Sequence, residues 1–167
     1  MLRTVFVAFL CLTISCRNQT KEEATWENET IEVVSFPELE TILENRGDQM
    51  MIVNFWATWC KPCVEELPLF EEARDSLAGQ NLEVVLVSLD FPDKLESQLI
   101  PFVAKHNLQS QVILLDDPHE NQWIPMVDGN WSGAIPATLM LKGTERKFFE
   151  KSFTRTSLYE EISKFIK

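Results

Sequence analysis

The stretch Trp56-Ala57-Thr58-Trp59-Cys60-Lys61-Pro62-Cys63 contains two cysteines separated by two residues and determines how the rest of the chain is interpreted. Residues 50–56 are almost continuously apolar, which is typical of a strand buried on both faces of a parallel or mixed sheet. A helical pattern follows, so Cys60 falls where a strand ends and a helix begins. A helix N-terminus carries unpaired N–H groups and a partial positive charge, both of which stabilise a thiolate. The spacing therefore predicts a redox-active dithiol, with Cys60 as the nucleophile and Cys63 as the resolving thiol.

The composition indicates one globular domain with an acidic surface. The chain has 167 residues, of which 45% are hydrophobic and 10% aromatic, enough for a sizeable hydrophobic core. The formal net charge is −11 at pH 7. Because a nucleic-acid-binding surface needs clustered Lys and Arg, this charge argues against nucleic acid as a partner.

The N-terminal residues have the pattern of an export signal. Arg3 precedes an apolar run over residues 5–14, which is shorter than the ~20 residues of a lasting membrane-spanning helix. Residues 1–15 are therefore expected to be a signal peptide, and the protein to be exported. The sequence Leu12-Thr13-Ile14-Ser15-Cys16 resembles the lipobox of bacterial lipoproteins, which predicts lipid attachment at Cys16. Thr13 departs from that pattern, so a plain signal peptide cut elsewhere is the alternative.

The polar residues after the signal predict a flexible tether over residues 16–30, followed by a folded domain over residues 31–167. The four cysteines agree with this division. If Cys11 leaves with the signal and Cys16 is acylated, the remaining thiols are the two of the Cys-x-x-Cys pair. The alternative is a structural disulfide from Cys16 to one of that pair.

Hydrophobic periodicity predicts alternating strands and helices. Strands are expected at residues 31–34, 50–56, 82–89, 112–115, 137–141 and 146–151, and helices at residues 35–46, 60–77, 94–107 and from 157 onward. Pro101 must kink or split the third of these helices. Ser35 and Ser157 each begin a capping-box spacing that is expected to start the first and the last helix. Residues 116–133 are poorly periodic, and no element is predicted there.

Two further motifs connect this pattern to a known fold. The dithiol stretch, Pro68 in the following helix and Ile135-Pro136-Ala137-Thr138 before a strand together resemble the thioredoxin fold, an α/β fold with a central mixed β-sheet flanked by helices. Within that fold, they are similar to the TlpA/ResA-like exported thiol-disulfide oxidoreductases over residues 31–167. The resemblance implies a cis bond between Ile135 and Pro136, which places a backbone edge beside the dithiol for an extended substrate peptide. Trp59 is expected to be partly exposed and to contact the substrate.

The expected proton acceptor of the dithiol is Glu66. Cytosolic-type thioredoxins carry a buried aspartate six residues before the first cysteine, where this chain has Asn54, which cannot accept a proton. Glu66 lies three residues after Cys63 and therefore on the same helical face, where a carboxylate raises a thiol pKa and can act as a base. The segment from Cys63 to Pro68 also matches the Cys-x-x-Glu-x-Pro pattern of ResA-like proteins. The alternative is that Glu66 is one more solvated acid on an acidic helix.

The expected reaction is thiol-disulfide exchange, in which Cys60 attacks a client disulfide and Cys63, deprotonated with help from Glu66, releases the reduced client. Pro62 follows the thioredoxin pattern, which predicts a net reducing direction. The family resemblance implies disulfide-bearing client proteins, with the haem-attachment cysteines of apocytochromes c among the candidates, and a membrane-embedded thiol electron donor. No cofactor is expected. The predicted location is the periplasmic face of the cell envelope, with the membrane reached through a lipid anchor on Cys16.

Other functions use a dithiol on the same fold. A copper-handling metallochaperone needs a Cys/His ligand set, for which His106 and His119 are the only histidines. No metal site is predicted, because such a set must converge in space. A peroxide-reducing peroxiredoxin normally has a threonine three residues before its catalytic cysteine, whereas Thr58 precedes Cys60 by two. A binding module with an incidental dithiol is a further alternative.

Overall fold

A six-stranded mixed sheet forms the centre of the computed structural model, which describes residues 30–166. The strands are β1 (Glu32–Val34), β2 (Met50–Trp56), β3 (Leu82–Ser88), β4 (Gln111–Leu115), β5 (Ala137–Lys142) and β6 (Glu145–Phe149). They lie in the order β1-β4-β3-β2-β5-β6, with the first four parallel and the last two antiparallel to their neighbours. The predicted mixed sheet with an antiparallel end is therefore confirmed. The predicted signal peptide, the lipidation site Cys16 and nearly all of the tether lie outside the described residues.

Strand β2 positions the dithiol. All seven of its residues are buried, and it pairs in parallel with β3 and antiparallel with β5. Burial on both faces explains why this strand is apolar along almost its whole length. Its carboxyl end, at Trp56, leads directly into the loop that carries Cys60.

Five α-helices cover the two faces of the sheet in the described part of the chain. They are α1 (Phe36–Glu44), α2 (Lys61–Ser76), α3 (Ile100–His106), α4 (Glu120–Val127) and α5 (Arg155–Phe165). One hydrophobic core contains both cysteines together with buried residues of α2, α3 and α5. The other core contains the buried residues of α1 and α4. The dithiol therefore belongs to the core on the α2 face of the sheet.

The first predicted capping box is confirmed, and the last one is wrong. At the start of α1, the Ser35 N–H donates a hydrogen bond to the Glu38 carboxylate at 2.7 Å. At the start of α5, the N-cap is Thr154, three residues before the predicted start, and Ser157 is the third residue of the helix. Thr154 Oγ1 accepts the Ser157 N–H at 3.2 Å, while Ser157 Oγ accepts the Thr154 N–H at 3.0 Å. A serine thus takes the place of the glutamate of the usual box, and the helix begins earlier.

Two proline-containing segments form interrupted or short helices, and the split expected from Pro101 is confirmed. The helix predicted over residues 94–107 is split, because a π-helical turn at Leu95–Leu99 precedes α3 and Pro101 lies in the first turn of α3. Helix α4 lies inside the segment for which no element was predicted. Its eight residues include Pro125, which weakens the helical signal of so short a segment.

Candidate active site

The two cysteines form a disulfide at the N-terminus of α2. Cys60 is the N-cap of that helix, its Sγ lies 2.03 Å from the Cys63 Sγ, and the two Cα atoms are 5.3 Å apart. The backbone N–H of Cys63 donates a hydrogen bond to the Cys60 sulfur at 3.4 Å. A helix N-terminus stabilises a thiolate at this position once the disulfide is reduced. Cys60 is 6% exposed and Cys63 is fully buried, so Cys60 is the more accessible of the two sulfurs.

A backbone edge lies beside the dithiol. The Ile135–Pro136 peptide bond is cis, as predicted, and comes immediately before β5. Because Ala137 of β5 pairs with Phe55 of β2, the chain entering β5 is brought to the end of β2 where the dithiol loop begins. The Cys60 sulfur lies 3.8 Å from the carbonyl oxygen of Ile135. The structure thus brings the predicted substrate-binding residues Ile135 and Pro136 next to the predicted nucleophile.

Glu66 is buried one helical turn after Cys63, with 2% of its surface exposed. Its Oε1 accepts a hydrogen bond from the Asn54 amide at 3.1 Å, and its Oε2 accepts one from the Phe153 N–H at 2.7 Å. The Asn54 amide also donates to the hydroxyl of Thr138 in β5 at 3.1 Å. The interpretation of Glu66 as a solvated acid is therefore wrong, because its carboxylate is buried and accepts hydrogen bonds from two other segments, at Asn54 and at Phe153.

The environment of Glu66 raises the pKa of its carboxyl group toward neutral pH. Burial raises the pKa of Glu66 from 4.5 to about 7, because the charged form is desolvated. The hydrogen bonds from the Phe153 N–H and the Asn54 amide oppose this rise in pKa, since both favour the carboxylate. A carboxyl group in this range can take up and release a proton at neutral pH, as a general acid-base group must.

A second buried carboxylate holds the dithiol loop, and the sequence interpretation missed it. Asp90, just beyond β3, accepts hydrogen bonds from the Thr58 N–H at 3.0 Å, the Thr58 hydroxyl at 2.6 Å and the Ser88 hydroxyl at 2.8 Å. These bonds fix the loop between β2 and α2 to the neighbouring parallel strand. A signal was available in the sequence, since side chains that follow adjacent parallel strands meet at the carboxyl edge of a sheet, where the dithiol lies.

Trp59 and Lys61 flank Cys60 in the sequence, and both side chains reach the surface. Trp59 is 57% exposed, as predicted, whereas Trp56 is fully buried. The Lys61 ammonium lies 3.7 Å from the Glu65 carboxylate, and both side chains are largely exposed. Solvent screens such a surface pair, so the helix N-terminus is the main source of positive charge at the dithiol.

The two histidines make contacts outside the dithiol. The His106 ring stacks on Phe102 with the ring centroids 4.0 Å apart, and His119 Nδ1 lies 3.0 Å from the Asp117 carboxylate. Within residues 30–166, no three or more His, Cys, Asp or Glu side chains are grouped so as to hold a metal ion. The structure does not bring together the Cys/His set that a copper site on this dithiol would use.

The fold and the site define a thioredoxin-like protein with a Cys-x-x-Cys disulfide at a helix N-terminus. The chain belongs to the AhpC/TSA family, whose model matches residues 16–142. The thiol-disulfide oxidoreductase ResA of Oceanobacillus iheyensis is 31% identical over 100 residues, which cover 60% of this chain and 46% of the relative. The chain thus spans less than half the length of that relative.

Solved structures show the same fold. A thiol:disulfide interchange protein of the thioredoxin family from Chlorobium tepidum superposes with a TM-score of 0.61 at 16% identity, covering 74% of this chain and 84% of the other. A secreted thiol-disulfide isomerase from Corynebacterium glutamicum superposes with a TM-score of 0.61 at 22% identity, covering 74% of each chain. The predicted thioredoxin-like fold is confirmed.

Proposed function

We propose that this protein is a thiol-disulfide oxidoreductase that acts on protein disulfides through Cys60 and Cys63. The observation that carries the proposal is the disulfide at the N-terminus of α2, whose outer sulfur lies 3.8 Å from the Ile135 carbonyl. A client peptide paired with this backbone edge would bring its own disulfide to the Cys60 sulfur. The similarity to ResA supports the assignment. The reduced dithiol donates both electrons when it becomes a disulfide, so the exchange needs no cofactor.

The exchange proceeds in two steps. In the first, the Cys60 thiolate of the reduced protein attacks a client disulfide, a Cys60–client bond forms, the client S–S bond breaks, and the leaving thiolate takes up a proton. In the second, the Cys63 thiol gives its proton to Glu66 and the resulting thiolate attacks the Cys60 sulfur. The Cys60–Cys63 bond forms, the mixed disulfide breaks, and the second client thiolate leaves. Two electrons have then passed from the protein to the client.

The net direction is reduction of the client. A buried carboxylate one turn from Cys63 disfavours a thiolate in the reduced pair and so favours the disulfide, which lowers the reduction potential. Titration against thiol-disulfide buffers is expected to give a potential nearer that of thioredoxin, about −270 mV, than that of DsbA, about −120 mV. Glu66→Gln should raise the potential, while replacement of the exposed neighbour, Glu65→Gln, should not change it. A potential at the oxidising end would contradict the reducing direction.

The protein is exported and held at the periplasmic face of the cell envelope by a lipid on Cys16. The signal-like pattern of residues 1–15 supports export, and the similar Corynebacterium glutamicum protein is itself secreted. Residues 30–166 contain no helix with both the length and the hydropathy of a membrane span. In cell fractionation, Cys16→Ser is expected to move the protein from the membrane fraction to the soluble fraction. Unchanged membrane retention of that variant would contradict the lipid anchor.

Clients and electron source follow from this location. The clients are exported proteins with disulfides, and apocytochromes c, whose haem-attachment cysteines must be reduced, are one class of candidate. The reductant that restores the dithiol is a membrane-embedded dithiol protein, which becomes a disulfide as Cys60 and Cys63 are reduced. Capture of the clients as mixed disulfides with the Cys63→Ser variant tests the first of these assignments.

A further inference from the structure

Two exposed aromatic side chains flank the dithiol loop. The exposed large hydrophobic residues in the described part of the chain are Val33, Trp59, Phe91 and Met126. Trp59, 57% exposed, immediately precedes Cys60, and Phe91, 65% exposed, immediately follows the buried Asp90. A single exposed hydrophobic residue is ordinary, but these two lie on the loops that follow β2 and β3, at the sheet edge that carries the dithiol, and together they offer an exposed apolar surface there.

Asp90 holds the backbones of these two aromatic residues close together. Its buried carboxylate accepts both the N–H and the hydroxyl of Thr58, at 3.0 and 2.6 Å. Trp59 directly follows Thr58, and Phe91 directly follows Asp90. The Cα atom of each aromatic residue is therefore about 3.8 Å from that of the hydrogen-bonded residue before it. The Leu89 N–H also donates to the Trp56 carbonyl at 2.8 Å, so the same two segments are joined twice. The two rings extend from neighbouring loops that are bonded to each other.

A client that forms a mixed disulfide with Cys60 must cover this surface. This inference rests on the proposed function. Cys60 is only 6% exposed, so a client peptide whose sulfur reaches it brings its chain on both sides of that sulfur against the surrounding residues. The Ile135 carbonyl, 3.8 Å from the Cys60 sulfur, is one part of those surroundings. The loop that carries Trp59 is another, because Trp59 is bonded directly to Cys60.

We propose that Trp59 and Phe91 form an apolar subsite for a client side chain next to the client's disulfide cysteine. The occupant is an extended peptide segment with a large aliphatic or aromatic residue beside the cysteine. Acidic segments are disfavoured, since the protein carries a net charge of −11. Aromatic rings suit this role because they offer a large contact area and lose little conformational freedom on binding. Asp90 is the positioning residue that keeps the two loops together.

Disulfide-bonded peptides that differ only in the residue beside the cysteine, Leu or Ser, test the subsite. The reduced protein is expected to have a higher kcat/KM for the Leu peptide, and Phe91→Ala should lower this preference about 10-fold through lost apolar contact. The kcat/KM for the Ser peptide should not change. Met126→Ala is the matched control, because Met126 is 55% exposed but lies on α4, and it should affect neither peptide. Hydroxyethyl disulfide, which has no peptide chain to occupy the subsite, should be reduced equally well by the unaltered protein, Phe91→Ala and Met126→Ala.

The outcomes distinguish failure of the proposed subsite from failure of the proposed exchange reaction. If Phe91→Ala slows all three substrates equally, or leaves the preference for Leu intact, the subsite is wrong while the proposed function stands. If the unaltered protein reduces none of the three, the proposed function itself fails, and the subsite with it. A double-mutant cycle with Trp59→Ala and Phe91→Ala gives a second measure on the Leu peptide. Non-additive losses would support one shared subsite, and additive losses would contradict it.

Discussion

Replacing Cys60 by Ser is expected to reduce the turnover of client disulfides to the uncatalysed rate. A serine hydroxyl cannot form the disulfide bond that links protein and client, so the first step of the exchange is lost. The measurement is the release of thiols from a disulfide-bonded peptide by the reduced protein. Cys63→Ser should still perform the first step but should stop after one mixed disulfide per molecule.

The Cys60→Ser variant should keep its fold, which makes its loss of activity interpretable. Cys60 is the N-cap of α2, and serine is among the preferred residues at an N-cap. Circular dichroism and thermal unfolding, compared with those of the reduced unaltered protein, check this point. Turnover retained by a folded Cys60→Ser variant would exclude Cys60 as the nucleophile.

Glu66→Gln is expected to slow exchange at pH 7 by about 10²-fold, at the lower end of the contribution of a positioned acid-base group. Glu66 accepts a proton only when ionised, and its raised pKa of about 7 means that the ionised fraction grows as the pH rises through neutrality. The rate of the resolving step in the unaltered protein should therefore rise between about pH 6 and pH 8. The Gln variant should lack this rise. Loss of the neighbouring negative charge should also lower the pKa of the Cys63 thiol.

The Gln side chain can be accommodated at position 66, so a slower rate would not reflect a damaged core. Its oxygen can accept the Phe153 N–H in place of the carboxylate, and its amide can donate to Asn54 Oδ1 once the Asn54 amide turns over, because Asn54 Nδ2 is the atom that now bonds Glu66. That oxygen is buried and has no hydrogen-bond partner among residues 30–166. The exposed Glu65→Gln is the matched control and should keep both the rate and the pH profile. An unchanged pH profile in Glu66→Gln would give Glu66 a purely structural role.

The local parts of the structure could be predicted from the sequence because neighbouring residues determine them. The apolar run of β2, the helix that starts beyond Cys60 and the capping box at Ser35 each depend on contacts within a few residues. The cis bond before Pro136 was expected only because the motif resembles a known fold. The start of α5 was misplaced because Ser157 fits two positions of a capping box, and Thr154 provides the better N-cap.

The remaining features of the site depend on contacts between distant parts of the chain. Glu66 was identified by its spacing from Cys63, but its burial also requires the Phe153 N–H, 87 residues later. The bonds from Thr58 to Asp90 join residues 32 positions apart across two parallel strands. No periodicity in the sequence encodes such a pairing, because it depends on which strands become neighbours in the sheet.

Capture of the mixed disulfide tests most directly the claim that Cys60 attacks client disulfides and Cys63 resolves them. Cys63→Ser lacks the resolving thiol, so in cells it should accumulate covalent complexes that migrate above the free protein on non-reducing gels and disappear with reductant. Mass spectrometry should place the linkage at Cys60, and the double variant with Cys60→Ser and Cys63→Ser should form no complexes. The absence of any complex with Cys63→Ser, or complexes that persist in the double variant, would contradict the proposed exchange.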